Sequence, residues 1–125
     1  MMWLSKDIGK IGEKAACRYL KKEGYRILAT NYARHFGKQI GEIDIVARKG
    51  DVVSFVEVKT RKSEAFGLPC EAVTREKQQK IIKTAYTYIG ENHLDLSYSF
   101  DIIEVFHDGR KITSLRHLPH AFTLS

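Results

Sequence analysis

Proline and cysteine are both scarce in this chain, with two of each among 125 residues. Cys17 and Cys70 are too few for a disulfide framework and lack metal-ligand spacing. They read as free thiols of a reducing compartment, Cys17 in a helix and Cys70 in a loop. No apolar run approaches membrane-spanning length. The start, Met1-Met2-Trp3-Leu4-Ser5-Lys6, turns polar too soon for a signal peptide, so a soluble, cytoplasmic protein with no membrane partner is the expectation. Internal repeats, low-complexity tracts and a glycine-rich phosphate loop are missing. The five histidines follow no zinc pattern, and His117-x-x-His120 spans a proline and is expected at the surface. Acidic residues are outnumbered, 15 against 21 basic, for a net charge of +6. That balance favours a polyanionic partner without saying which. The length suits one domain with a single core, residues 1–125.

Two stretches dominate what is present: Gly41-Glu42-Ile43-Asp44-Ile45-Val46-Ala47 and Phe55-Val56-Glu57-Val58-Lys59-Thr60-Arg61. Both are apolar and β-branched apart from their charges, and both read as strands. Side chains alternate along a strand, so Glu57 and Lys59 share a face, as do Glu42 and Asp44. Charges in a core-like strand are costly unless paired or bound to a metal. The short Arg48-Lys49-Gly50-Asp51 link favours an antiparallel hairpin. A loop of Lys49-Gly50 sets Asp44 opposite Phe55 and diagonal to Glu57; a loop from Lys49 to Val52 sets Asp44 directly opposite Glu57. Either register puts both carboxylates on one face, beside an ammonium, in a form suited to a hard divalent cation.

Around these strands, Ser5 or Asp7 can cap a first helix running to about Glu23, with Ile8, Ile11, Ala15, Ala16, Tyr19 and Leu20 as its buried stripe. Gly24 stops it. Tyr25 to Arg34 reads as a strand and His35 to Gln39 as a loop. A long aperiodic connection, Lys62 to Glu71, follows the site strands. Thr74 caps a second helix, about Arg75 to Ile89, with Ile81, Ile82, Ala85, Tyr88 and Ile89 facing the core. Lys77, Lys80 and Lys83 lie together on its flank, beside Gln78. Gly90 to Asp95 reads as a turn. Tyr98 to Phe106 is a strand, His107 to Arg110 a hairpin turn, Lys111 to Leu118 the return, and Pro119 to Ser125 an irregular tail. Asp101 and Glu104 have opposite parity, and Asp101 reads as structural. The strand bearing Glu57 is apolar on both faces, so helices should cover both.

Asp44, a spacer and Glu57-Val58-Lys59 form the D…ExK signature, which resembles the PD-(D/E)xK, restriction-endonuclease-like superfamily. A closer likeness covers most of the chain. Gly12-Glu13, Asn31-Tyr32-Ala33-Arg34, Gly41 to Asp44, Phe55 to Arg61, Phe66-Gly67 and Val73 to Gln78 together resemble the YraN-like family of bacterial endonucleases. The layout is also similar to that of archaeal Holliday-junction resolvases. A lone D…ExK is weak; the ordered set is specific. The resemblance implies an α/β fold, a restriction-endonuclease-like core with a mixed sheet flanked by helices, in the order α-β-β-β-α-β-β.

It also implies a metal-dependent endonuclease that hydrolyses phosphodiester bonds in DNA. Asp44 and Glu57 would bind Mg²⁺ or Mn²⁺, with the Val58 carbonyl and Glu13 completing the site. Lys59 would position water or stabilise phosphoryl charge. Glu42 would serve the sheet edge or a second metal. Arg34, Arg61, Lys77, Gln78, Lys80 and Lys83 would contact the nucleic acid. One D…ExK set gives one cleavage centre, so cutting two strands calls for two protomers or two encounters, and a homodimer on the substrate is the expectation. The rival expectation is a non-catalytic nucleic-acid-binding or interaction protein of DNA repair or uptake on the same fold.

Overall fold

The computed structural model describes residues 2–62 and 73–123. Phe66-Gly67, Cys70, most of the expected loop after the second site strand, and the last two residues lie outside the described residues. The elements run α1 (Ser5–Lys22), β1 (Arg26–Phe36), β2 (Gln39–Lys49), β3 (Val52–Lys62), α2 (Arg75–Asn92), β4 (Ser97–His107) and β5 (Ile112–Phe122). The five strands form one mixed sheet in the order β1-β2-β3-β4-β5. Among the described residues, only β3 and β4 run parallel. Their link carries α2, the kind of crossover a parallel pair requires.

Each helix closes a separate layer of core. Ala15, Ala16 and Leu20 of α1 pack on Ile45, Ala47, Val56, Val58, Ile103 and Val105. Ile81, Ala85 and Tyr88 of α2 pack with Ile43, Val46, Val53, Phe55 and Ile102. β3, buried along most of its length, lies between the two layers. Two glycines make the layers tight. A Cβ at Gly12 would collide with Thr60 Oγ1, so only glycine lets α1 sit this close to β3. A Cβ at Gly41 would collide with Thr84 Oγ1 of α2. The glycines preceding Glu13 and Glu42 thus hold both carboxylates close to the sheet.

The helix ends show where local chemistry decides and where it does not. The C-terminus of α1 is a Schellman motif: Gly24 has φ 93°, Tyr25 N–H donates to Leu20 O and Gly24 N–H to Lys21 O. Its N-terminus departs from expectation. Leu4 is the N-cap, and neither Ser5 nor Asp7 caps it, both lying already inside the helix. Thr74 does cap α2, accepting from Lys77 N–H. That helix runs three residues past Ile89, through Gly90, and ends at His93 in the left-handed conformation. The expected turn therefore begins later, because Tyr88 and Ile89 keep the last turn packed on the sheet.

Strand ends were also underestimated. His35, Phe36 and Gln39 belong to the β1–β2 hairpin, whose last pair is Phe36 with Gln39. Pro119 to Phe122 is strand, not tail; Phe122 stacks on Phe100 with centroids 5.3 Å apart. Proline is acceptable there because β5 is an edge strand. The β4–β5 turn is held by Asp108, whose Oδ1 accepts from Arg110 N–H (2.8 Å) and Lys111 N–H (2.9 Å).

Candidate functional site

The β2–β3 register is the one expected of a loop from Lys49 to Val52, with Ile45 facing Val56. One further pair, Lys49 with Val52, shrinks the turn to Gly50-Asp51, and Gly50 supplies the required positive φ of 60°. Continuing the register one step brings Asp44 opposite Glu57. There the ladder stops. Ile43 packs in the α2 layer and Ile45 in the α1 layer, although strict alternation would put them on one face. The strand turns over at Asp44. In place of a ladder bond, Asp44 Oδ2 accepts from Val58 N–H at 2.8 Å. The carboxylate thus lies at the seam between the two faces, not wholly on one of them, and it borders concavities on both sides.

On the α2 side, a concavity of about 400 Å³ holds Asp44, Glu57, Lys77 and Lys80. Glu57 is 5% exposed, and Lys77 Nζ lies 2.6 Å from its Oε1, with Lys59 Nζ 4.0 Å away. Burial and the adjacent Lys77 ammonium pull the Lys59 pKa down, with the Glu57 and Asp44 charges opposing. For Lys77, burial is the largest single influence and acts downward, but the bond and charge of Glu57 together with Lys59 and Asp44 outweigh it and the pKa is raised. On the α1 side, Asn31 Nδ2 donates to Glu13 Oε1 (2.6 Å) and Glu42 Oε1 (3.2 Å). Asn31 holds φ 50°, a conformation asparagine tolerates better than most residues. Its amide keeps two like-charged carboxylates together. Burial, then Glu57, Glu13 and Glu42, push the Asp44 pKa up to about 7, against the opposing pull of the Val58 N–H.

The other expected contacts are differently employed. Gln78 Nε2 donates to Val73 O, tying down the start of α2. Arg34 stacks over Tyr32 and donates twice to Glu91, joining β1 to the end of α2. Burial and the bond to Glu91 raise the Tyr32 pKa to about 12. Arg61 pairs with Glu104 Oε2 at 3.1 Å, and Arg116 with Glu104 Oε1 at 2.6 Å. Glu104 is fully buried, so two guanidiniums are anchored beside Lys59, its neighbour across the parallel ladder. Lys80 lies 3.9 Å from Glu76, and Lys83 lies over the Phe36 ring. Sequence reading missed Arg116 because its anchor is a strand away. It also missed Asn31 as a bridge between Glu13 and Glu42.

Asp101 has a structural setting. His117 Nε2 bonds its Oδ2 at 2.7 Å, His117 Nδ1 meets Tyr19 OH at 3.1 Å, and Ser99 Oγ bonds Oδ1. His117 is thus largely buried, contrary to its expected surface position, because the edge strand turns it under α1.

Asp44, Glu57, Glu13 and Glu42 are hard oxygen donors of the kind Mg²⁺ and Mn²⁺ take. Burial first, and then the repulsion of the neighbouring carboxylates, raise the Asp44 pKa, and a dication would relieve that repulsion. Among the described residues, no three acidic, histidine or cysteine side chains already form a metal cage. Lys77 currently neutralises Glu57. The donor set fits the ion in chemistry, and filling it requires Glu57 to exchange an ammonium for a metal. No helix among the described residues is long and apolar enough to cross a membrane.

Residues 12–105 match the model of the Uncharacterised protein family UPF0102. The chain is 48% identical to a UPF0102 protein of Caldanaerobacter subterraneus subsp. tengcongensis over 120 residues, covering 94% of this chain and 95% of the relative. It is 46% identical to a UPF0102 protein of Alkaliphilus metalliredigens, covering 82% and 87%, and 50% identical to one of Clostridium acetobutylicum, covering 82% and 81%.

Proposed function

The chain belongs to the UPF0102 family, and we propose that it is a Mg²⁺- or Mn²⁺-dependent endonuclease of PD-(D/E)xK type, of the YraN-like branch, hydrolysing phosphodiester bonds in DNA. The observation that carries this reading is the setting of Asp44. A half-buried carboxylate at the seam of the sheet is surrounded by three further carboxylates, with Lys59 and Lys77 alongside. Such crowding destabilises a protein unless a cation offsets it.

In this reading Asp44 and Glu57 hold the divalent ion, with Glu13 joining directly or through water. The bound ion supplies Lewis acidity and a low-pKa water at the scissile phosphate. Lys59, held near Glu57, orients the attacking water or meets charge developing on the phosphoryl oxygens. The Glu104-anchored Arg61 and Arg116 grip flanking phosphates on the same side of the sheet. Arg34 reaches phosphate only by giving up Glu91. Two-strand cleavage needs two protomers or two encounters, and in this reading a homodimer on the substrate provides them.

A panel of single-stranded, duplex, flap and four-way DNA, incubated with Mg²⁺ or Mn²⁺, tests the proposal. Cleavage by the wild type and none by Asp44→Asn is the expected result; equal cleavage by both removes the assigned site. One observation favours a second reading, a non-catalytic binding module: the Lys77–Glu57 pair already satisfies one ligand. Calorimetry with Mn²⁺ separates the two. A binding module retains nucleic-acid affinity but takes up no metal at Asp44.

A further inference from the structure

The concavity on the α1 side of Asp44, about 390 Å³, is walled by Lys10, Lys14, Arg18 and Lys21, with Glu13 and Asp44 also lining it. The four cations follow one another at intervals of four, four and three residues, so they form a single stripe along α1. All four are exposed. Among the described residues none forms an ion pair, unlike Lys77 and Lys80 on α2. Like charges at this spacing repel and destabilise a helix. Glu13 shares the groove but is bonded by Asn31, and among the described residues no acidic side chain pairs with the stripe to offset that cost. An external polyanion would.

We infer that this α1 groove is the main phosphate-binding track for the nucleic-acid strand that reaches the carboxylates, an inference that rests on the nuclease reading. Lys10 to Lys21 spans roughly 16 Å of helix axis, about five nucleotide steps at 3.4 Å per strand step. Phosphates held by the cationic wall bring the backbone to Glu13 and Asp44, where a dication is needed to let a further phosphate approach. The track leads to the seam from the face opposite Lys77 and Glu57. The scissile strand therefore crosses the sheet where β2 parts from β3, gripped by α1 on one side and by Arg61 and Arg116 on the other. The contacts are to phosphates, so binding is shape-dependent and largely indifferent to sequence.

The test is fluorescence anisotropy across a salt series in EDTA, with a labelled single-stranded oligonucleotide and its duplex. Lys14→Ala/Arg18→Ala should weaken binding at least tenfold at low salt and lower the slope of log K against log salt by about 1.5–2. Arg110→Ala/Lys111→Ala removes the same charge from the β4–β5 turn, which does not line the groove, and should change the slope by less than about half a unit. All four side chains are exposed, and circular dichroism verifies the fold. Equal losses in the two variants would mean net charge alone, and would overturn the inference. So would a larger loss from Lys80→Ala/Lys83→Ala, which would place the track on α2 and leave the nuclease reading standing. Failure of the wild type to bind either oligonucleotide at any salt concentration overturns both.

Discussion

The flanks of α1 and α2 have the same ingredients and opposite uses for them. Each helix has 18 residues, buries one stripe, and turns basic side chains toward the carboxylates at the seam. On α2 the cations are engaged within the fold: Lys77 with Glu57, Lys80 with Glu76, Lys83 over Phe36. On α1 they line an open groove without acidic partners among the described residues. Periodicity counts charges but does not say which are available. A lysine beside a buried carboxylate stabilises the fold, while one beside another lysine is available to a ligand.

The comparison loses its meaning if the seam between the flanks does no chemistry, so the largest expected effect lies there. Asp44→Asn and Glu57→Gln should each lower metal-dependent cleavage by on the order of a thousandfold or more, since each removes several kcal/mol of charge stabilisation. Gel assays at saturating Mn²⁺ provide the measure, with thermal melts showing an intact fold. Cleavage at wild-type rate in either variant would move the site elsewhere.

Next come the two glycines that set both flanks against the sheet. Gly12→Ala and Gly41→Ala should each destabilise the protein by about 1–3 kcal/mol, because each new methyl meets a threonine on a neighbouring element. Urea unfolding reads this directly. A neutral result at Gly12 would mean that α1 can withdraw from β3, and its groove with it.

A third effect is pH-dependent and belongs to the seam without metal. The folded Asp44 titrates at about 7 against 3.8 for the ordinary carboxyl. Between those values the folded state holds the proton more tightly than the unfolded chain. The stabilisation from protonated Asp44 is therefore full below about pH 4 and is lost as pH rises towards 7. In EDTA, the melting temperature of Asp44→Asn should exceed that of the wild type by a margin that grows by several degrees across this window. A margin independent of pH would show that neither burial nor the surrounding carboxylates hold the proton on Asp44.

The smallest effects sharpen the contrast between the flanks. Lys77→Ala leaves the buried Glu57 with only the more distant Lys59, and should cost about 1–2 kcal/mol, less than a fully buried pair because Lys77 is half exposed. Lys14→Ala touches no partner and should stay within about 0.5 kcal/mol of the wild type. Chemical denaturation of both, in EDTA, compares them. Equal stabilities would erase the distinction between an engaged flank and an open one.

Much of this molecule is determined locally. Gly24, Thr74 and Gly50 act through backbone geometry and a near-neighbour hydrogen bond, which is why their roles can be read from sequence. The runs around Asp44 and Glu57 declare themselves as strands because β-branched residues alternate with charges over a short, turn-rich link. Other features depend on partners distant in the chain. Helix α2 passes through Gly90 because packing of Tyr88 and Ile89 on the sheet outweighs a weak local preference. Strand alternation alone would place Asp44 on one face. The parting of β2 from β3 and the Val58 N–H place it at the seam instead. Lys77 and Arg61 look alike in sequence to any exposed cation, yet Glu57 and Glu104 engage both, while Lys14 and Arg18 remain open to solvent. Charge and periodicity are properties of the chain; whether a charge already has a partner is decided by distances that only tertiary packing sets.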